Sequence, residues 1–240
     1  MSLYVGTSGW AYAAWKPVFY PAKLPQKKFL EHYATRLNTV EVNYSFRRMI
    51  SEKTIESWKA ETPTGFRFSV KAHQAITHIR KLKNAEEIVK RFLSSIEPLA
   101  AAGKLGPVLL QLPPTFKADA ALLDDFLGTL PKSFALRTSL EFRHPSWFTD
   151  QIFAVLERHN CGLCLAESEE RSTPEVRTAD FYYYRFRKSD YPAETRSELA
   201  DKIAAKIGEG RDVFAYFKHE ERPESPLWAE EMLAGLKEAA

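Results

Sequence analysis

Short apolar runs alternate with amphipathic stretches from one end of the chain to the other, the arrangement expected of parallel strands joined by crossover helices. The runs centre on Leu3–Gly6, Thr39–Val42, Phe66–Val70, Val108–Leu112, Thr138–Phe142, Gly162–Ala166, Phe181–Arg185 and Val213–Phe217. Their β-branched, aromatic and aliphatic residues suit a sheet buried on both faces. Between them, Ser51-Glu52-Lys53-Thr54 opens a helix that ends before Pro63. Asp119 similarly precedes the series Leu122, Leu123, Phe126, Leu127 and Leu130, which stops at Pro131. Asn84–Ala102 and Ser225–Ala239 have the same three-and-four spacing of apolar residues, which buries one helical face. Glu167–Asp180 is short and polar, and reads as a loop in place of a sixth helix.

Eight strands in 240 residues leave about 30 residues per strand-helix unit, the size of one βα repeat. The pattern therefore predicts a single-domain TIM-type (β/α)8 barrel over residues 1–240, with helix six short or missing. There is no internal repeat, low-complexity tract or linker to suggest a second domain. An open doubly wound sheet would place a Gly-rich phosphate loop after its first strand. Here that turn reads Gly6-Thr7-Ser8-Gly9-Trp10, which fits neither G-x-G-x-x-G nor a P-loop.

Composition changes this picture little: 45% hydrophobic and 27% charged residues describe a chain that folds by itself. A net charge of +3 is too weak to require nucleic acid or an anionic membrane, so affinity for anions has to be local. No apolar run approaches the ~18 residues of a membrane span. The first residues enter a strand without a basic leader, so the expected location is cytoplasmic with no membrane partner. Cys161 and Cys164 form a C-x2-C, but at the start of an apolar strand with no second pair. That placement favours core packing over a redox pair or zinc site.

In a barrel of this kind, chemistry gathers at the carboxyl ends of the strands. The residues found there are Thr7, Ser8 and Trp10; Glu41 and Asn43; Lys71, His73 and His78; Gln111; Glu141, Arg143 and His144; Glu167; Arg185 and Arg187; and Lys218 with His219. Burying a charge without a partner costs several kcal/mol, so these groups must pair with one another or with a ligand. Side chains alternate along an extended strand, which puts Glu141 and Arg143 on one side, and likewise Glu41 and Asn43. Glu141–Arg143 reads either as a ligand-facing pair or as an ion pair closing the mouth, and Lys71 either as a ligand contact or as a salt bridge to Glu41. Arg185 ends the apolar run Tyr182-Tyr183-Tyr184, where a guanidinium needs a carboxylate, phosphate or sugar partner. His73 and His78 read as loop residues, and Trp10, Tyr12 and Trp15 as aromatics packed beneath the first loop. There is no G-x-S-x-G and no H-E-x-x-H, so serine hydrolases of that fold and zincins fit the sequence poorly.

Five linked motifs carry a resemblance. They are Val5-Gly6-Thr7-Ser8-Gly9-Trp10; Asn38-Thr39-Val40-Glu41-Val42-Asn43; Phe68-Ser69-Val70-Lys71; Gln111-Leu112-Pro113-Pro114 with Phe116; and Glu141-Phe142-Arg143-His144 with Ser146-Trp147. In this order, over nearly the whole chain, they resemble the YecE-like family, catalogued as domain of unknown function 72. The resemblance implies a TIM-type barrel and no particular reaction. The chain departs from the family pattern at Arg47, Glu167, Arg187-Lys188 and Lys218-His219, so the rim after the last two strands is the least constrained by it.

Three functional readings follow. The first is a metal-independent, cofactor-free enzyme acting on a small polar anion, phosphorylated or sugar-like. In it Glu141 or Glu41 is the general base, Lys71 the acid or electrophile, and Arg143 and Arg185 anion clamps, with Thr7, Ser8, Trp10, Asn43, Gln111 and His144 contacting the ligand. The second is a metal-dependent hydrolase or nuclease using Glu41, Glu141, Glu167 and His144, against which Lys71 and Arg143 weigh. The third is a nucleic-acid-binding module using Arg47-Arg48, Arg80-Lys81 with Lys83, and Arg185 with Arg187-Lys188. The sequence is silent on oligomeric state.

Overall fold

A computed structural model describes residues 1–131, 137–218 and 223–238. Eight parallel strands, β1 (Leu3–Thr7), β2 (Thr39–Val42), β3 (Arg67–Lys71), β4 (Leu105–Gln111), β5 (Thr138–Glu141), β6 (Gly162–Glu167), β7 (Phe181–Phe186) and β8 (Asp212–Phe217), pair in chain order. β1 also pairs with β8 in parallel, which closes the barrel. The helices α1 (Phe29–Arg36), α2 (Glu52–Glu61), α3 (Glu86–Ala101), α4 (Ala120–Thr129), α5 (Asp150–Arg158), α6 (Ala193–Gly208) and α7 (Glu224–Glu238) surround it. The expected (β/α)8 architecture is thus present, and no helix lies between β6 and β7.

Local chemistry sets the helix starts. The Ser51 hydroxyl accepts from the Thr54 amide at 3.2 Å and the Asp119 carboxylate from the Leu122 amide at 3.0 Å, each satisfying an orphan donor of the first turn. β4 begins three residues before the expected Val108, because Gly106 and Pro107 read as breakers yet sit inside the strand. The register of β3 against β4 shifts between Phe68 and Val70, and the Gly106 backbone lies so close to β3 that a Cβ there would come within 2.8 Å of Ser69 Oγ. At Gly6 the crowding is greater, since a Cβ would meet the Thr39 carbonyl oxygen at 2.0 Å.

Two apolar clusters divide the interior. The larger fills the layer between the strands and the helices, and the smaller lies inside the barrel around Leu109, Cys164, Phe181, Tyr183, Phe214 and Tyr216. The barrel interior is layered. At the amino ends Tyr4 stacks on Phe214 at 4.6 Å, with Arg67 over the Tyr4 ring and Arg137 over Phe181. Above this, the Tyr216 hydroxyl reaches Thr39 and Ser69 at 2.9 and 2.6 Å. The charged residues form the top layer, at the carboxyl ends. Cys161 and Cys164 are buried free thiols, and burial pushes both up, so neither is a ready thiolate. No helix among the described residues is long and apolar enough to cross a membrane.

Candidate active site at the barrel mouth

Arg185 is the centre of the top layer. It is 2% exposed and reaches across the barrel to two carboxylates on different strands, Glu41 of β2 at 2.7 Å and Glu141 of β5. These carboxylates are 0% and 3% exposed, so each needs a cation beside it, and this guanidinium pairs with both. Glu41 also accepts from the Tyr183 hydroxyl at 2.8 Å and the Asn43 amide at 3.3 Å. Burial pushes the Glu41 carboxyl up, but the charge and hydrogen bond of Arg185 outweigh it and hold the group below the usual carboxylate range. For Glu141 burial is likewise overcome, by Arg185, Arg143 and the Gln111 amide, and its carboxyl is lowered to about 2. Arg185, between two anions, is held firmly protonated despite its burial.

A second strand of hydrogen bonds runs along the rim. Gln111 and Glu141 are register partners on β4 and β5. The Gln111 amide nitrogen donates to both Glu141 oxygens, at 2.8 and 2.9 Å, which leaves its carbonyl oxygen to accept from Lys71 Nζ at 2.8 Å. Lys71 therefore bonds to an amide and not to Glu41, as the salt-bridge reading expected. Its ammonium also lies 4.2 Å from the centre of the Phe46 ring. Burial lowers the Lys71 pKa first, and the Arg185 charge lowers it further, to about 8.

Arg143 donates to Glu141 at 3.1 Å, as the period-two spacing predicts, while its side chain stays 31% exposed. It lines a cavity of about 490 Å³ formed by the ends of β5 to β7 and by the helix-free loop, with Arg171, Arg187, Glu167, Glu170, Ser168 and Thr173 on its walls. The absence of a sixth helix leaves this space open. Arg187 is half-buried there, and among the described residues its side chain makes no ion pair or hydrogen bond. Burial and the Arg185 charge lower its pKa and outweigh the Glu41 and Glu141 charges, which act the other way.

The structure thus brings Glu41, Asn43, Lys71, Gln111, Glu141, Arg143 and Arg185 into one network. It does not bring Thr7 or His144 there. Thr7 faces outward toward α1, donating to the Gly9 carbonyl at 2.6 Å and lying 3.0 Å from the Tyr33 hydroxyl. His144 Nδ1 lies 2.8 Å from the Ser146 hydroxyl and accepts from its amide, which starts the 3-10 turn Pro145–Trp147. In the same turn Ser146 accepts from Ala118, and the Trp147 indole donates to Phe116 at 2.7 Å. That motif is scaffolding between the loops after β4 and β5. Ser8 is buried against the Phe217 carbonyl at the β1 and β8 ends. Trp10 packs edge-on against Trp58 at 5.3 Å and, with Tyr12, Asn43 and Tyr44, lines a separate cavity of about 310 Å³. Trp15 is fully buried. His78 packs edge-on against Phe46, and burial, then the Lys71 and Arg143 charges, lower its pKa. His219 lies outside the described residues.

Two participants were missed or discounted. Tyr183, Arg185 and Arg187 are two residues apart on β7, so the alternation that paired Glu41 with Asn43 also assigns Tyr183 and Arg187 to the mouth. The proposed metal ligands Glu41, Glu141, Glu167 and His144 do not converge, and no group of three or more His, Cys, Asp or Glu among the described residues is arranged to hold a metal ion. Arg47, Arg48, Arg80 and Lys83 are exposed, as solvated surface cations are.

Relatives place these observations in context. The chain is 32% identical over 161 residues to the UPF0759 protein YunF of Bacillus subtilis, covering 63% of this chain and 54% of that protein. It is 31% identical over 147 residues to the UPF0759 protein YecE of Escherichia coli, covering 61% and 50%. The chain thus matches about half the length of these curated relatives. Among solved structures, a DUF72 family protein from Thermotoga maritima superposes with a TM-score of 0.81 at 24% identity, covering 99% of this chain and 100% of the other. One from Enterococcus faecalis gives 0.81 at 19%, covering 98% and 95%. These structures share the barrel, and with a family model matching residues 4–240, the chain belongs to the YecE-like family described as protein of unknown function DUF72.

Proposed function

We propose that the barrel mouth binds a small anionic molecule, phosphorylated or carboxylated, in the cavity lined by Arg143, Arg171 and Arg187, and that Lys71 exchanges a proton with it. One observation carries this reading: Arg187 lines a cavity of about 490 Å³ and makes no ion pair among the described residues, while of the acids nearby Glu41 and Glu141 are paired to Arg185 and Glu167 lies 3.7 Å from Lys188. Arg143, Arg171 and Arg187 share the cavity wall with Glu141, Glu167 and Glu170, and Arg187 is a half-buried guanidinium there without an ion pair among the described residues. A bound anion supplies Arg187 with charge-assisted hydrogen bonds.

The roles differ from those expected of the sequence. Glu41 and Glu141 are held ionised and have their oxygens occupied, which makes them poor bases and good anchors for Arg185. Lys71, at about 8, is the group whose proton is exchangeable near neutral pH. Inorganic phosphate and glycerol 3-phosphate should raise the melting temperature of the protein, and Arg187→Met should abolish the shift while folding normally. A shift that survives in Arg187→Met, or no shift in the unmodified protein up to millimolar anion, overturns the proposal.

A further inference from the structure

We propose that the cavity between helix α2 and the loops after β1 and β2 binds the flat ring of a neutral aromatic molecule, which donates an N–H or O–H hydrogen bond to Asn43. This cavity shares no lining residue with the anion cavity, so the inference goes beyond that reading and stands apart from it.

Three of its walls are aromatic rings fixed by the fold. Trp58 of α2, 7% exposed, stacks on Phe68 at 5.2 Å and meets Trp10 edge-on at 5.3 Å. The Trp10 carbonyl accepts from the Tyr20 hydroxyl at 2.5 Å and from the Tyr12 amide at 3.0 Å, which holds the loop after β1 in place. Tyr12 in turn packs on the buried Trp15 at 5.0 Å and donates to the Ser8 carbonyl at 3.3 Å. Gly9 makes room for that ring. Its φ of +111° suits glycine, and a Cβ there would come within 2.4 Å of the Tyr12 hydroxyl. The space between these rings is about 310 Å³, within the range of small-molecule sites.

Tyr44 is the exception among the walls. It lines the same space, is 52% exposed, and its side chain makes no ring contact or hydrogen bond among the described residues. A ring entering the cavity gives this aromatic the partner that the other three already have, and ring pairs are stabilised beyond the area they bury.

The polar groups narrow the choice of ring. None of the lining residues is charged, which favours a neutral occupant. The Thr54 hydroxyl lies 2.8 Å from that of Ser51. Asn43 is differently placed: its amide nitrogen donates to the ionised Glu41, which fixes the orientation of the amide. Its Oδ1 is left as an acceptor with no hydrogen bond among the described residues. An aliphatic chain would cover the walls but leave that acceptor unanswered, and a sugar would bring more hydroxyls than the walls can pair. A flat ring with one donor on its edge meets both demands.

The test titrates the full chain at pH 7.5 with three probes, followed by saturation-transfer NMR on the probe protons. They are benzimidazole, 1-methylbenzimidazole, which lacks the N–H, and cyclohexanol, which lacks an aromatic face. Benzimidazole should bind with a Kd of about 1 mM or tighter. The methylated probe should bind about 5-fold more weakly, the loss of one hydrogen bond, and cyclohexanol about 10-fold more weakly. Tyr44→Ala, at an exposed position, should fold normally and weaken benzimidazole about 5-fold. Asn43→Ala should bind the two benzimidazoles equally, which separates the hydrogen bond from the bulk of the methyl group. Arg187→Met should leave benzimidazole binding unchanged. No transfer to benzimidazole at about 10 mM overturns the inference, as does equal binding of the two benzimidazoles by the unmodified protein. So does undiminished binding in Tyr44→Ala, a preference that survives Asn43→Ala, or loss of binding in Arg187→Met, which would put the ring in the other cavity.

Discussion

Replacing Arg185 by methionine tests the electrostatic core of the mouth directly. The substitution keeps an apolar stem of similar length but removes the one cation that, among the described residues, touches both buried carboxylates. Glu141 retains Arg143 and Gln111, whereas Glu41 keeps only the Tyr183 hydroxyl and the Asn43 amide. Breaking a buried pair by removing one partner costs about 3 to 5 kcal/mol, and Arg185 serves two, so a loss of at least about 4 kcal/mol is expected at pH 7.

The pH profile carries more information than the loss itself. In the unmodified protein Glu141 is lowered from 4.5 to about 2, which at about 1.4 kcal/mol per pKa unit contributes about 3 kcal/mol. That contribution is complete above pH 4.5 and is lost as pH falls toward 2. In Arg185→Met burial acts on Glu41 against only the Tyr183 hydrogen bond and the Arg187 charge, so its folded-state pKa should rise above the ordinary value. Its carboxyl then favours the fold only while protonated, and stability falls as pH rises through the new pKa. The deficit relative to the unmodified protein should therefore shrink as pH drops from 8 to 5. Urea denaturation followed by the fluorescence of the five tryptophans measures both curves. A deficit under about 1 kcal/mol at pH 7, or one that is flat from pH 5 to 8, refutes the argument that Arg185 neutralises two buried acids. If Arg185→Met does not fold, adding Glu41→Gln should restore folding, since the second substitution removes the stranded charge.

Two other perturbations have signs that follow from the same layer. Lys71→Met should stabilise the protein by about 1 to 3 kcal/mol at pH 7, the relief of a shift from 10.5 to about 8 less the lost Gln111 bond. Because the folded-state pKa is lowered, the gain should be complete below pH 8 and gone by pH 10.5, and an unchanged urea midpoint at pH 7 rejects it. Cys161 and Cys164 should react with a thiol reagent only on unfolding, since both are buried and Cys161 bonds the Thr138 carbonyl; rapid native reaction of either rejects this.

How much of this is legible in the sequence depends on the range of the interaction concerned. Strands buried on both faces announce themselves as apolar runs, which is why Thr39–Val42 is placed to the residue. The missing sixth helix shows in the polar composition of Glu167–Asp180, and it is the reason that a cavity opens beside Arg187. Parity along a strand is also legible, yet it has to be anchored at both ends. Thr7 ends β1 and Ser8 follows it, and the two point to opposite faces, so naming both as ligand contacts contradicts the rule that correctly paired Glu141 with Arg143. The partner chosen by Arg185 is of another kind. Glu41 lies 144 residues away and Glu141 44, and only closure of the barrel sets how far a guanidinium on β7 extends toward β2 and β5. Once Arg185 takes both acids, Lys71 is left with an amide and Arg187 with a cavity. The residues that looked like bases from their chemical type hold a guanidinium, and Lys71, which looked like a partner for Glu41, bonds an amide instead.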